Sequence, residues 1–589
     1  MKCNPASVRP RLIYMHYHYR LAGLALVVAV TAAAGPALNL EASHAAPQPV
    51  GAAVRFTATA TGVEQPVFRF RYREFPGDFR TIRDFSPGNS LEWTFTGREG
   101  LFEVEATVRD LENDESATAT MPYRIEPVMH NGVPVVNSTD HPLVLLYSAP
   151  PCPLGRRMRV EFSAPTVATH TTSTQECDST HTMNFLIGGL RADTEYTIRH
   201  VVENGGARAL GPALKHHTGV VSVETPAYHL VVPPAVDPSS EVMLHGPLFP
   251  NRVTATDLAG NLIWYYPGAV SILTRSAGGG AFLGIANGPG GPWKQVLREF
   301  DLLGTTLRET NAGRVNEQLA SMGNRPINAF HHEAWRLPDG RFLALAGVEQ
   351  ILTDVQGPGD VDVVSDMVLM LDQDLQVVWA WDAFDHMDTA RLALQGELCS
   401  QGSCPPLTLA PDANDWLHGN SLHMTPDGNI LLSLRHQDWV VKIDAATGEI
   451  LWRLGPEGDF ALASGDESEW FSHQHDAGFA SNGLLMVLDN GNARAKENGE
   501  AHSRGQAWVI DETNRVARPV VNAGLGVFSF ALGTAQLLPN GEFQFGAGWH
   551  PDGTSSSVAT DAAGTVTYAL HGRVPEYRTF RLPSLYSGQ

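Results

Sequence analysis

One phrase recurs six times in the C-terminal two thirds of the chain. An apolar strand runs into an aspartate, a turn follows, and a second strand, often carrying tryptophan, leaves it. The copies are "TATDLAGNLIWYY" at Asp257, "REFDLLGTTLRET" at Asp301, "LMLDQDLQVVWAW" at Asp372, "VKIDAATGEILWRL" at Asp444, "WVIDETNRVARPV" at Asp511 and "VATDAAGTVTYAL" at Asp561, spaced by 44, 71, 72, 67 and 50 residues. One such unit cannot bury its own apolar face, so it must stack on its neighbours. Hairpin repeats of this length predict a β-propeller, each copy forming the outer hairpin of one blade. Six copies predict six blades. The copies at Asp301 and Asp511 are the weakest, so five and seven blades stay open on the repeat alone.

The rest of the chain is also read as β. "VRFTATATGVEQPVFRFRYREF" and "LEWTFTGREGLFEVEATVRD" alternate apolar and polar residues, which predicts a small immunoglobulin-like β-sandwich over 48–127. "LIGGLRADTEYTIRHVVENG" has the pattern of a fibronectin type III module, placed over 128–219. The predicted fold is therefore all-β: two small sandwich modules followed by a six-bladed propeller over 221–589. Before them, Lys2, Arg9, Arg11 and Arg20 precede the apolar run "LAGLALVVAVTAAA", and "ASHA" ends at Ala45. This predicts a signal peptide over 1–45 and a periplasmic or secreted protein. The run is short for a membrane span, and no other long apolar segment occurs, so no membrane partner is expected after cleavage.

Composition narrows the partners. The formal charge is 41 − 63 = −22, and nucleic-acid binding needs a basic surface, so nucleic acid is not an expected partner. Cys3 falls in the leader. Cys152, Cys177, Cys399 and Cys404 remain, an even number in an exported chain, which predicts the disulfides Cys152–Cys177 and Cys399–Cys404. A homo-oligomer is neither required nor excluded.

A second phrase marks the inner hairpins: "HHEAWRLPDGRFLALA", "HGNSLHMTPDGNILLSLR", "HQHDAGFASNGLLMVLD" and "LGTAQLLPNGEFQFGAG". Aligned on their turns, His332, Asn420, His475 and Gly533 stand at one offset. Equal offsets on inner strands mean equal heights around a central channel, so these residues should converge at its mouth. Counting back from Asp427-Gly428 pairs Asn420 with Arg435, which puts His418, Asn420 and Arg435 on one face. His331, His436 and His473 lie nearby. Arginine offers a fixed fork for a tetrahedral oxyanion, asparagine a neutral donor, and a neutral imidazole a nucleophile or a proton carrier. The set suits transfer of an anionic group through a covalent histidine.

"DWLHGNSLH", "DGNILLSLRHQDWVVKID", "TGEILWRLG" and "FSHQHDAGF" resemble the bacterial arylsulfate sulfotransferases. The resemblance covers roughly residues 221 to the C-terminus. It implies an exported six-bladed propeller that moves a sulfuryl group from a phenolic sulfate donor to a phenolic acceptor. The implied route is ping-pong through a sulfohistidine, with no nucleotide donor, no cofactor and no metal. By motif, His475 matches the nucleophile, His418 and Asn420 the sulfate-binding pair, and Arg435 the sulfate-binding arginine. His332 matches the remaining histidine, with His331 adjacent, and Thr534 stands where a family threonine is expected. The chain departs from the family in placing Cys399–Cys404 before the His418 motif and in having two N-terminal modules where one is usual. Both bear on acceptor range.

Two other classes compete. The histidines could hold zinc, copper or iron in a metal-dependent propeller enzyme; an arginine among them opposes this, because it repels a cation. The propeller could instead be a non-catalytic ligand-binding one. No G-x-x-x-x-G-K-[ST] phosphate loop occurs, which fits a nucleotide-independent reaction.

Overall fold

A computed structural model describes residues 35–588 apart from 271, 289–290, 294 and 403. Most of the expected leader lies outside the described residues. The strand Ala37–Ala42 pairs antiparallel with Ala53–Thr61, and the Tyr123 hydroxyl donates to the His44 carbonyl at 2.6 Å. The boundary expected at Ala45 therefore falls inside the folded chain.

The architecture is all-β. The six aspartate phrases each form the hairpin between the third and fourth strands of a sheet. The reason for aspartate is the same each time: its Oδ1 accepts two backbone N–H groups of the turn. Ala259 and Asn261 donate to Asp257, Asp374 and Gln376 to Asp372, and Ala563 and Thr565 to Asp561. This side chain mimics a backbone turn and fixes it.

The four quoted inner hairpins are first and second strands of their sheets. The six first strands are here labelled β1 (Ile272–Gly278), β2 (Ala329–Arg336), β3 (Gly419–Met424), β4 (His475–Phe479), β5 (Ala531–Leu537) and β6 (Glu576–Leu582). Each neighbours the next, and β6 returns to β1. Two ends of the chain close this ring: β6 is completed by three strands over 242–265, and Tyr228–Val232 adds an edge strand to the sheet of β5. Apolar side chains fill the spaces between successive sheets, with Trp381, Trp416, Trp452 and Trp508 fully buried among them.

The N-terminal residues build two further cores. One holds Phe56, Phe70, Trp93, Phe95 and Tyr123, the other Tyr147, Phe162, Phe185 and Tyr196. The first is joined directly to the sheet of β1 by a parallel pairing of Arg83 with Glu309. Arg109 and Arg314 add ion pairs to Glu317 and Asp84 at 2.7 and 3.2 Å. The second is pinned through Arg191 to Asp257 at 2.5 Å and through the Tyr586 hydroxyl to the Leu186 carbonyl at 2.9 Å. Both expected disulfides form, Cys152–Cys177 inside the second core and Cys399–Cys404 in a surface loop.

Candidate active site

The ends of β2, β3 and β4 share a local irregularity. The pairing slips between Phe330 and Ala334, between Gly419 and Ser421, and between His475 and Gly478. Left-handed backbone accompanies each slip: φ is 56° at His332, 54° at His418 and 51° at Asp476, and it recurs at Leu532 of β5, 66°, where the pairing keeps its register. Bulges re-aim side chains that a regular strand would keep in its own face. Here they turn residues from three strands toward one place, beside the left-handed Leu532 of β5.

One register expectation is corrected by this geometry. In the hairpin around Gly428 the Thr425 N–H donates to the Asn429 carbonyl at 2.8 Å and the Gly428 N–H to the Thr425 carbonyl at 2.9 Å, and the strands pair Met424 with Ile430 and Ser421 with Ser433. Asn420 sits in the bulge and does not face Arg435. Gly419 pairs with Leu434, and Arg435 begins a helical turn, Arg435–Gln437, beyond the strand. Arg435 still meets His418, because its backbone N–H donates to the His418 carbonyl at 3.2 Å. The count failed because a three-residue loop with Gly428 at φ 82° shifts the register by one.

Histidine rings form a string. His331 and His332 approach Nδ1 to Nδ1 at 2.8 Å. The His332 and His418 ring centres lie 4.8 Å apart, His418 and His436 4.6 Å, and His436 and His473 5.7 Å. Acids flank it: Asp366 by His331, Asp415 by His418, and Asp438 with Glu397 by His473. Asp415 Oδ2 is 2.8 Å from His418 Nδ1, so His418 presents Nε2 to the site. Burial, then the neighbouring His418, pushes the His332 pKa well below its ordinary value.

His475 is buried and held at both nitrogens. Its Nδ1 lies 2.8 Å from Asn490 Oδ1, and its Nε2 accepts the Leu532 backbone N–H at 3.2 Å. The Asn490 amide nitrogen donates to the Ser529 and Leu532 carbonyls, so its oxygen must face His475. The tautomer follows: Nδ1 carries the proton and Nε2 the lone pair. Burial, then Arg435, pushes the His475 pKa well below its ordinary value, so the ring is neutral near pH 7.

Arg435 donates from Nη1 to His436 Nε2 and from Nη2 to the Phe530 carbonyl, at 2.5 and 3.1 Å, while its buried Nε has no partner among the described residues. Asn420 gives its side-chain donor to the Gln474 carbonyl at 2.7 Å, which leaves Oδ1 unpartnered and buried. Its one unpartnered atom is thus an acceptor, while one of its two amide N–H groups is used on Gln474. Thr534 is not brought to this group: its hydroxyl donates to the Thr579 carbonyl at 2.8 Å.

Below the histidines lies a buried ionic cluster. Arg275 Nη2 donates to Glu333 at 3.0 Å and to Asp476 at 2.6 Å. Arg578 pairs with both acids, and its Nη2 donates to the Asn420 carbonyl at 2.6 Å. Tyr577 donates to the His332 carbonyl at 2.9 Å. Asp415, Asn490, Leu532, Arg578 and Arg275 were missed from sequence. Asp415, three residues before His418, carried the clearest signal.

Asp415, His418 and His436 place one ligand atom each within 4.8 Å of one another and could hold a metal ion. The chemistry argues otherwise. His436 Nδ1 is 2.7 Å from the Asp415 carbonyl, so its lone pair is at Nε2, where the Arg435 guanidinium already donates. A cation there would have to displace an arginine.

The arylsulfotransferase (ASST) family model matches residues 243–569, which takes in all three histidine-bearing inner hairpins and the fourth at Gly533. The chain belongs to the arylsulfotransferase family. A curated member, arylsulfate sulfotransferase AssT of Escherichia coli O6:H1 (strain CFT073), is 25% identical over 298 residues, 42% of this chain. The match spans 47% of that relative's length. A crystal structure of a protein of unknown function from Bacteroides caccae covers 59% of this chain and 100% of its own, at 14% identity and a TM-score of 0.36. That likeness is too slight to bear on the arylsulfotransferase reading.

Proposed function

We propose that this chain is an exported arylsulfate sulfotransferase, a six-bladed propeller that carries a sulfuryl group from a phenolic sulfate to a phenolic acceptor through sulfohistidine 475. The observation that carries the reading is a neutral, buried His475 with its lone pair at Nε2, among His332, His418 and the Arg435 guanidinium. The closed ring of six first strands supports the propeller. Two disulfides and the leader-like N-terminus support export.

In the first half-reaction Nε2 attacks sulfur. The N–S bond forms as the S–O bond to the aryl group breaks, and that electron pair leaves on the phenolic oxygen. Charge spreads over the equatorial sulfuryl oxygens, as in phosphoryl transfer. Arg435 is the cation for those oxygens, and its unpartnered Nε is a donor in waiting. In the second half an acceptor phenol attacks sulfur and the N–S pair returns to Nε2. His418 takes the acceptor's proton at Nε2, stabilised as imidazolium by Asp415, and passes it to the next leaving phenolate. The bulged Asn420 offers its free Oδ1 to a phenol hydroxyl.

The test reacts the protein with 4-nitrophenyl sulfate alone and maps peptides by mass spectrometry under non-acidic conditions. A sulfuryl group on the His475 peptide that disappears on adding phenol is expected. Label on His332 or His418 overturns the assignment, and loss of turnover with a chelator would favour the metal reading at Asp415, His418 and His436.

A further inference from the structure

Asn490 holds two things at once. Its Oδ1 fixes the Nδ1 proton of His475, while its Nδ2 holds the Ser529 and Leu532 carbonyls at 2.7 and 3.1 Å. The turn it grips, 529–532, is the one that offers the Leu532 N–H to His475 Nε2. That turn is braced further: Phe530 accepts from Arg435 and Asn492, and the Ser529 hydroxyl donates to the Ala531 carbonyl. Leu532 stands at φ 66°, a conformation a branched residue adopts only when its surroundings impose it. Asn490 and Ser529 are fully buried. The arrangement therefore keeps a peptide N–H at 3.2 Å from the one nitrogen that has a free lone pair.

That contact cannot survive attack. Once Nε2 bonds to sulfur its lone pair is used, and the Leu532 N–H is left facing the new N–S bond. The nearest acceptor is then an equatorial sulfuryl oxygen. We propose that Asn490 is a positioning residue that sets the tautomer of His475 and aims the Leu532 N–H, which guards Nε2 in the resting protein and becomes an oxyanion donor when the sulfuryl group arrives. The inference rests on the sulfotransferase reading for its second half. The tautomer stands without it. A single side chain thus couples the nucleophile to its donor, so neither can shift without the other.

Substitution by aspartate separates the two tasks. In Asn490→Asp a carboxylate oxygen still accepts from Nδ1–H, but the other oxygen faces two carbonyls and pushes the 529–532 turn away. A carboxylate on His475 also favours imidazolium, against Arg435, Arg578, His418 and His332, the charged and titratable groups around the ring. Imidazolium is not a nucleophile, so the acid limb of the rate profile should move to higher pH.

The experiment has an activity-independent arm. The full chain, labelled with 15N at histidine, is examined by long-range 1H–15N correlation, with the His475 signals identified by their loss in His475→Gln. The Nδ1–H tautomer at pH 7 is expected; Nε2–H or imidazolium overturns the proposal. The kinetic arm uses 4-nitrophenyl sulfate and phenol. Asn490→Asp should lower kcat by roughly 100-fold or more, as loss of an oxyanion donor does, with little change in KM for the donor and an alkaline shift of the acid limb. If the wild type releases no nitrophenol, the sulfotransferase reading fails and only the tautomer is judged. If the wild type turns over and Asn490→Asp keeps its kcat, or loses only KM without a pH shift, the positioning role is wrong.

Discussion

Arg435 is a buried cation with no carboxylate in contact among the described residues, Glu397, Asp415 and Asp438 acting on it from farther away. Its two Nη groups bond to a neutral imidazole and a carbonyl, and its Nε–H is left over. Burial lowers its pKa, yet arginine stays charged, so the site holds a positive charge that an anionic ligand would relieve. Arg435→Lys keeps the charge but cannot reach His436 and Phe530 and still face a sulfuryl oxygen. We expect kcat to drop by at least about 100-fold, equivalent to about 3 kcal/mol, while thermal unfolding changes little; near-normal turnover would remove Arg435 from the anion site. Asn420 gives a contrasting expectation. With its buried Oδ1 left unpartnered, Asn420→Ala should raise KM for the phenol acceptor more than it slows the donor half-reaction, which a nitrophenol burst measured without acceptor would separate. His332, His418, Arg435 and His475 were legible because histidine and arginine at strand ends are chemically unusual there. Asn490 was not, since an asparagine before a glycine reads as an ordinary turn.

At the scale of the strand, the aspartate phrases were readable because their turn chemistry is local: the carboxylate and the N–H groups it binds lie within four residues. The bulges were not, because they depend on what the neighbouring sheet demands. Counting register from Gly428 assumed a two-residue turn and a regular ladder; the three-residue loop shifts it by one and the slip at Asn420 shifts it again. Gly533 shows the same dependence. It stands at φ 144°, and a Cβ there would lie 1.8 Å from Leu488 Cδ2 and 2.5 Å from the Gly546 carbonyl. Nothing in "LGTAQ" announces that, for both obstacles come from other strands. Gly533→Ala combines overpacking with an unfavourable backbone, so it should lose about 2 kcal/mol or more in urea denaturation. It should also slow turnover, because Leu532 precedes it. A variant as stable as the parent would mean β5 moves more freely than this packing allows.

Across the whole molecule, stability should depend on pH in a way that reports the buried site. His332, His436 and His475 all have folded pKa values held well below the ordinary histidine value, chiefly by burial. Below about pH 6.5 the unfolded chain binds protons at these positions and the folded chain does not, so stability is present above that pH and falls as pH drops. Asp362 works in the opposite sense. Burial, then the adjacent Glu349, pushes its pKa up to about 7, so between about pH 4 and 7 the folded chain holds a proton that the unfolded chain has released. Its contribution is complete at the acid end of that window and lost as pH rises through 7. Glu349, drawn down to about 2 although burial opposes it, holds Thr408, Leu409 and Asn328, and acts only below the range where the other groups titrate. Asp301, pushed up to about 6 by burial, and Asp382, raised by burial, oppose the histidines in the same sense. His141, His170, His200, His216, His423 and His550 are lowered as well, so the histidines outnumber these acids and the urea midpoint should fall from pH 7.5 to pH 5. Each group contributes at most about 1.4 kcal/mol per pH unit. Asp362→Asn removes one of the opposing slopes, so its midpoint should fall more steeply over the same interval. A wild-type midpoint that rises on acidification would show that the site histidines are not held neutral in the fold, and an Asp362→Asn profile shallower than the parent's would show that Asp362 does not hold its proton there.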